Sequence, residues 1–492
     1  MSYPPSTAAS TELSAQLLRD IRRSQQEWAR TAVRKRVASI CKIGAWLVDH
    51  AEALAAATTL PEPRSIENTI AAELMPLADA ARFLQRQAPQ LLSTRTLSDR
   101  HRPLWVGRLK VRVAREPLGL VLVIGTWNYP IFLAGVQIAQ GLAAGNAVLL
   151  KPAPGTERVS EMLCQAFWES GISRNLLCLL PSQVEQAREA MKLGVDRVVV
   201  TGSSSTGRAI LSQVADTLTP ATLELSGCDA MFVLSTADLN RVCDSILFGL
   251  NLNASATCIA PRRVFVRPDE QLPLETRLKE RLQFSKPLRV FPPAFRLLKQ
   301  LAIEACQQGA EVVCGSLNDL NDEPAMRPLV LRNVRPSMRL VQSDLFAPVV
   351  SLITVQDWVE AVAADRQCPY ALCASIFGHS DEAEQRLSQV DAGCVIINDV
   401  IAPTADPRVP FSGRGESGYG VTRGAEGLLE MTRLKAIVIR RGSWVPHLDP
   451  PHPTDAEILA GLFKFQHGGS WKRRWEGIKQ IWQAIQIRRS DK

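Results

Sequence analysis

Between residues 117 and 150 the chain carries no charged side chain. A stretch of that length either crosses a membrane or is buried on every side by its own protein. Gly125, Asn128, Pro130, Gln137, Gln140, Gly141, Gly145 and Asn146 interrupt it at turn-like intervals, so it parses as a strand over 118–124, a helix over 130–143 and a strand over 147–151. The pattern predicts a buried βαβ unit. Parallel strands covered on both faces read as continuous apolar runs, which accounts for the missing charge without lipid.

The alternation continues downstream. Apolar strands are predicted at 175–180, 196–201, 221–225 and 230–234, then at 262–266, 312–315, 349–354 and 394–398, with a last one at 432–440. Helical segments lie between many of them, and strands alternating with helices wind into parallel sheets, so the fold class is α/β. Ahead of the first strand, residues 14–60 and 66–90 place apolar side chains at helical spacing, and 103–116 alternates like a hairpin or an extended arm. With 492 residues, 46% of them hydrophobic, the chain has material for two or three domain cores. Its eleven cysteines form no CxxC pair, which argues against a disulfide framework or a zinc site and for a reducing, cytoplasmic compartment. Residues 1–17 show neither a signal peptide nor a transit peptide pattern.

Of the net charge of +8, residues 471–492 supply +5, from seven basic and two acidic side chains. The body therefore gives no reason to expect a nucleic-acid partner. In the same tail Trp471, Trp475, Ile478, Ile481, Trp482 and Ile485 share one helical face, while Lys472, Arg473 and Lys479 occupy others. Such a helix either packs on its own protein or a partner subunit, or makes a peripheral membrane contact through 471–487, drawn by anionic lipid.

Four places invite chemistry. Gly202 and Gly207 flank three serines between a strand and a helix, where a phosphate could meet free backbone N–H groups; a plain Gly/Ser turn is the other reading. Arg208 and Ala209 stand where a P-loop needs lysine and a hydroxyl, so a P-loop NTPase is excluded. Cys258 lies in a small-residue, polar segment, unlike Cys164, Cys178, Cys243, Cys306 and Cys394 in apolar contexts. Polar surroundings favour a thiolate, so Cys258 is either a nucleophile or one more buried small hydrophobe. Glu224 interrupts an apolar strand, as a base or as half of a structural ion pair. Asn128 follows a buried strand, as an oxyanion donor or as a turn former.

Together these places carry a resemblance. EPLGLVLVIGTWNYP at 116–130, AAGNAVLLKPAP at 143–154, VVVTGSSSTGR at 198–208, LELSG at 223–227, NASATCIAP at 253–261, LFAPVV at 345–350 and PFSGRGESGYG at 410–420 resemble, in this order, segments of the aldehyde dehydrogenase superfamily. The 34-residue interval from Glu224 to Cys258 agrees too, and the likeness spans about 15–440. The short segment before the first motif, with GTWNYP, is most like the class 3 branch, which includes fatty and aromatic aldehyde enzymes.

The resemblance implies an aldehyde dehydrogenase-like fold. A Rossmann-like cofactor domain would take 1–98 and 118–226, a catalytic α/β domain 227–418, and bridging or oligomerisation elements 99–117 and 419–442; 443–492 would be a linker and the basic amphipathic tail. It implies Cys258 as nucleophile, Glu224 as general base, and the Asn128 amide with the Cys258 backbone N–H as oxyanion hole. Lys151 would hold the adenosine ribose of NAD or NADP, and Gly202, Ser203 and Gly207 would bound the pyrophosphate. Asp344 would face the cofactor's ribose, and Phe346 the nicotinamide, with Trp127 also in the cofactor site. The implied reaction is NAD(P)-dependent oxidation of an apolar aldehyde, long-chain or aromatic, to a carboxylic acid through a cysteine thiohemiacetal and thioester, in a homodimer without metal. Two alternatives remain. One is a CoA-acylating enzyme, which Glu224 disfavours because acylating relatives lack that base, and the other is a catalytically degenerate homologue at a membrane surface.

The sequence also departs from the family's pattern. Asp344 replaces a glutamate, Ala347 a glycine, and Ser255-Ala256 the Gly-Gln before the nucleophile's threonine; Ser226 and Cys228 replace a glycine and a lysine after the base. Pro154 stands where many NAD-preferring members place a glutamate, and its lack of charge opens the site to NADP.

Overall fold

The computed structural model describes residues 13–320, 323–442 and 445–490. The expectations for residues 1–12, for the start of the linker at 443–444 and for the last two residues of the tail lie outside that description. The chain divides into two units, one of Met1–Ser93 with Arg115–Arg433 and one of Thr94–Ala114 with Leu434–Lys492.

In the first unit the charge-free run is the βαβ unit its punctuation predicts: strand Leu120–Ile124, helix Phe132–Ala144 and strand Ala147–Lys151. Every residue of that helix is buried, so a charge anywhere on it would lie in the core. The predicted 14–60 helix is in fact four, Ala15–Arg30, Val33–Cys41, Ile43–Asp49 and Ala51–Ala57. Extended backbone at Thr31 makes the first break. Buried Arg36 secures that corner, donating from Nη1 to Thr31 O at 2.8 Å and from Nε to Ala143 O at 3.1 Å, which satisfies a carbonyl at the end of the buried helix.

Two sheets carry the unit. The first has six strands in the order Gly418–Tyr419, Ala221–Leu225, Arg197–Gly202, Leu120–Ile124, Ala147–Lys151, Leu177–Leu179, all parallel except the first. The second has seven, ordered Glu311–Cys314, Leu329–Arg332, Val349–Thr354, Pro261–Val266, Asp229–Val233, Cys373–Phe377, Cys394–Ile397. Leu329–Arg332 and Cys373–Phe377 escaped the sequence reading. One is four residues long, and the other is a Cys-Ala-Ser run with little β-branched character whose place is fixed by neighbours on both sides.

The bridging element expected at 419–442 is shorter. Gly418 pairs with Glu224, and helix Gly424–Glu430 belongs to the first unit; only Thr432–Arg440 joins Arg95–Thr96 and Leu109–Pro117 in the three-stranded sheet. Gly418 adopts φ 92°, and a Cβ there would sit 2.1 Å from Leu223 O, so this close antiparallel pairing requires glycine.

The second unit adds a helical hairpin, Asp455–His467 with Trp471–Ser490, of which only the latter was foreseen. The two helices meet where side chains are smallest: a Cβ on Gly461 would lie 2.8 Å from Gly477 O, and one on Gly477 2.5 Å from Gly461 O. The three tryptophans stay outside that crossing, whereas Ile481, which the sequence places on their face, meets Gly461. Trp471, Trp475 and Trp482 are 80%, 51% and 63% exposed. Among the described residues no helix is long and apolar enough to cross a membrane.

Gly418→Ala is expected to cost about 1–3 kcal/mol through backbone strain, besides the clash with Leu223 O. The midpoint of urea unfolding should fall accordingly, and an unchanged midpoint would show that the strand edge relaxes freely.

Candidate active site

Helix Leu239–Asn251 connects to strand Pro261–Val266 through a loop that no local preference favours. Asn253, Ala254 and Ser255 take φ of 53°, 50° and 60°, three consecutive non-glycine residues in the left-handed region. The loop persists because it is over-determined. Buried Arg262 donates to Ser255 Oγ and Ser255 O, both at 2.6 Å, and Ser255 Oγ donates to Gly249 O at 2.8 Å. Ser255 stands where the family pattern has glycine, and its positive φ gives the physical reason for that glycine. Beyond this turn Ala260 N–H closes onto Thr257 O at 3.1 Å, which sets Cys258 at the wall of a cavity.

The cavity has a volume of about 250 Å³. Phe132, Leu133, Phe248, Leu252, Ile401 and Phe411 make it apolar, and Ala71 and Ala72 reach it from a π turn at Ile70–Leu74. Its polar members include Cys258, Thr257, Glu224 and Arg423. The structure thus brings together Cys258 and Glu224, which arrive from different sheets. Thr422 Oγ1 donates to Glu224 Oε2 at 2.8 Å, and Arg423 Nη2 lies 3.9 Å from Glu224 Oε1. Both readings of Glu224 find an observation here, since it is in ion-pair range and also lines the cavity.

Asn128 is buried beside them with its amide already oriented. Thr126 Oγ1 donates to Asn128 Oδ1 at 2.8 Å, and one hydrogen of Asn128 Nδ2 goes to Ala256 O at 2.9 Å, two residues before Cys258. That leaves the second N–H of the amide for another acceptor.

The electrostatics around Cys258 correct the sequence expectation. The segment looked polar, but the fold packs Cys258 against Ile259, Leu372 and Phe411. Burial, then the carboxylates of Glu224 and Asp229, push the thiol well up, with Asp344 adding to them; Arg423 opposes.

Arg423 is the residue the sequence reading missed. Its guanidinium lies 3.9 Å over the Phe411 ring and donates to Thr404 O at 2.9 Å, while its Nε has no partner. Its backbone, φ 61° and ψ 172°, lies in a region essentially reserved for glycine, a strain that the buried contacts sustain. The only sequence signal was an arginine one residue before Gly424.

The cofactor candidates lie at the carboxyl ends of strands in the six-stranded sheet and in neighbouring loops. Lys151 ends its strand and is buried; burial lowers its ammonium's pKa, and Glu157 and Glu185 oppose that. Those two carboxylates keep the surroundings acidic despite Pro154. Ser203 caps helix Ser204–Val214, its Oγ accepting from Thr206 N at 3.2 Å, and a Cβ on Gly202 would meet nothing closer than 3.6 Å. Gly207 faces Leu225, where a Cβ would lie 2.8 Å from Cδ1, so it serves close helix–strand packing. Desolvation pushes the Asp344 carboxyl up to about 6 against the Ser226 hydroxyl and Arg262, and its buried Oδ1 has no partner. Trp127 stacks on Phe291 at 4.6 Å and meets Phe346 at 5.7 Å. A helix N-terminus, a buried cation and a buried unpartnered carboxylate oxygen fit a dinucleotide's pyrophosphate and ribose hydroxyls.

A wound α/β chain brings a cysteine and a glutamate to the wall of one apolar cavity, with the Asn128 amide bonded to Ala256 O two residues before that cysteine. The chain belongs to the aldehyde dehydrogenase family, whose sequence profile matches residues 6–437. The 4,4'-diapolycopene aldehyde oxidase of Methylomonas sp is 29% identical over 95% of this chain and 94% of its own length. The dimeric NADP-preferring aldehyde dehydrogenase of Mus musculus is 28% identical over 66% of this chain and 73% of its own. The Mycobacterium tuberculosis aldehyde dehydrogenase solved with NAD+ aligns at a TM-score of 0.77 and 25% identity, covering 87% of this chain and 90% of that one.

Because the Cys258 thiol is raised, its alkylation by iodoacetamide, followed site by site by mass spectrometry, should be slow at pH 7 and climb steadily to pH 10. A rate already level below pH 8 would show surroundings that favour the thiolate.

Proposed function

We propose that this protein oxidises apolar aldehydes, long-chain or aromatic, to carboxylic acids with NAD or NADP, with Cys258 as nucleophile and Glu224 as the base of hydrolysis. One observation carries this reading: the thiol and the carboxylate open on the same apolar cavity. The diapolycopene aldehyde in the Methylomonas relative's name supports an apolar substrate, and the named cofactors of the other two proteins support NAD or NADP.

Cys258 Sγ, once deprotonated, forms a bond to the aldehyde carbon, and the carbonyl oxygen becomes an oxyanion. The free N–H of Asn128 Nδ2 and the backbone N–H of Cys258 receive that charge without reorganising, because Thr126 and Ala256 already hold the amide. Bound NAD(P) supplies the hydride acceptor that leaves a thioester on Cys258. Lys151, the Ser204 helix end and Asp344 would hold it, with Trp127 and Phe346 alongside. Glu224, fixed by Thr422, then takes a proton from the water that attacks the thioester, releasing the acid and restoring the thiol.

We also propose a homodimer and a membrane contact. Thr432–Arg440 is an edge strand of its sheet and exposes Leu434 and Val438, a surface suited to a second copy. The exposed tryptophan face of helix Trp471–Ser490, with Lys472, Arg473 and Lys479 on its flanks, suits an anionic membrane surface. Eleven free cysteines support a cytoplasmic location.

Glu224→Gln should give a single rapid burst of NADH, then turnover slowed by about 10²–10⁴-fold, with no rescue by CoA. Cys258→Ala should give neither phase. Loss of the burst in Glu224→Gln would assign the glutamate to acylation instead. For the tail, wild type should co-sediment with phosphatidylserine vesicles in a salt-sensitive manner, and Trp475→Gln/Trp482→Gln should not, both oxidising soluble aldehydes alike. If the double variant loses its dimer instead, that face is a protein contact.

A further inference from the structure

The helical segment ahead of the first sheet resumes at Ile66–Thr69, passes through the π turn Ile70–Leu74 and continues as Met75–Leu91. Just before it and inside it stand Arg64 and Glu73, paired at 2.5 Å with side chains only 4% and 0% exposed. An ion pair buried so deeply adds little over apolar residues of the same volume, so stability alone does not explain it.

Its other bonds supply a reason. Glu73 Oε2 accepts from the N–H groups of Ile131 at 2.6 Å and Phe132 at 3.0 Å, the first residues of the helix that follows Asn128. Arg64 Nη2 donates to Asn128 O at 2.6 Å and to Asn253 Oδ1 at 3.1 Å. Asn253 Nδ2 donates to the same Asn128 carbonyl at 3.0 Å. The guanidinium also lies 5.2 Å from the Tyr129 ring centre, and the Tyr129 hydroxyl meets Thr257 Oγ1 at 2.6 Å, next to Cys258. One buried pair therefore ties the Asn128 loop to Asn253, the start of the strained segment that leads to the thiol, while Tyr129 of the same loop reaches Thr257. Arg262 holds that segment at Ser255, and Arg64 holds it at Asn253.

We propose that Arg64 and Glu73 are positioning residues for the acylation step, keeping the Asn128 amide and the Cys258 turn in the alignment the oxyanion requires. This rests on the roles given above to Cys258 and Asn128. A donor displaced by about 1 Å from a developing charge loses about a hundredfold in rate, so the effect belongs in the first turnover.

The test is rapid-mixing measurement of NADH formation in Arg64→Met, Arg64→Lys and Glu73→Gln, at saturating NAD and aldehyde. The burst rate constant should fall about tenfold or more in Arg64→Met and Glu73→Gln, with Arg64→Lys between them and wild type. KM for NAD should change less than the burst constant, because the pyrophosphate and ribose segments at Lys151, Ser203 and Asp344 make no bond to Arg64 or Glu73, and only Trp127 adjoins the loop they hold. Burst amplitude reports the folded, active fraction, so a merely structural role would lower the amplitude and leave the rate constant alone. Should the charge variants fail to fold, Asn253→Asp keeps an acceptor for Arg64, now charged, and removes the Nδ2 donor to Asn128 O and Ala256 O, and its burst constant should fall about threefold. Folded variants with burst constants within about twofold of wild type would overturn the proposal. Cys258→Ala runs alongside: if the wild-type burst does not depend on Cys258, the catalytic reading fails and this inference with it, whereas a Cys258-dependent burst unaffected by the variants removes this inference alone.

Discussion

Two buried guanidiniums hold a left-handed turn that its own residues would not choose. Arg262 grips Ser255 by hydroxyl and carbonyl, and Arg64 grips Asn253 by its side chain. Without them three consecutive positive-φ residues would relax toward ordinary backbone, and Cys258 would leave the cavity wall it shares with Glu224. The cost of the strain and of desolvating two cations is borne by the surrounding packing, which is why the loop sits between two complete sheets.

The same enclosure governs the charge at the site. An apolar cavity with Glu224, Asp229 and Asp344 nearby raises the thiol, and Arg423 is the cation that counters them. Arg423 also lies against Glu224, at 3.9 Å, from the next residue after Thr422, which hydrogen-bonds the same carboxylate. Consecutive residues of one loop thus bear on both Glu224 and Cys258, and the strained backbone at Arg423 accompanies that placement. An apolar pocket strengthens each of these interactions.

The second unit follows a different logic. Its hairpin closes through Gly461 and Gly477, so the helices approach closely and leave the three tryptophans of Trp471–Ser490 outward. Large aromatic side chains turned outward are unfavourable for a solitary soluble helix pair and, flanked by basic residues, favourable at an interface.

Burial periodicity, a local property, was legible in the sequence. The charge-free run, the alternating strands, and the polar positions of Cys258, Glu224 and Asn128 in or beside otherwise apolar segments followed from short-range pattern, because a strand covered on both faces has to be apolar along its length. Short strands such as Leu329–Arg332 were not legible, since their place is set by neighbours distant in the chain. Nor were Arg36, Arg64, Glu73, Arg262 and Arg423, which read as ordinary surface charges until the fold supplies their acceptors, as with Arg64 and Asn253 189 residues apart. The thiol's protonation was decided there too. A charge is buried or solvated according to what the whole chain packs around it, and only the tertiary structure fixes that.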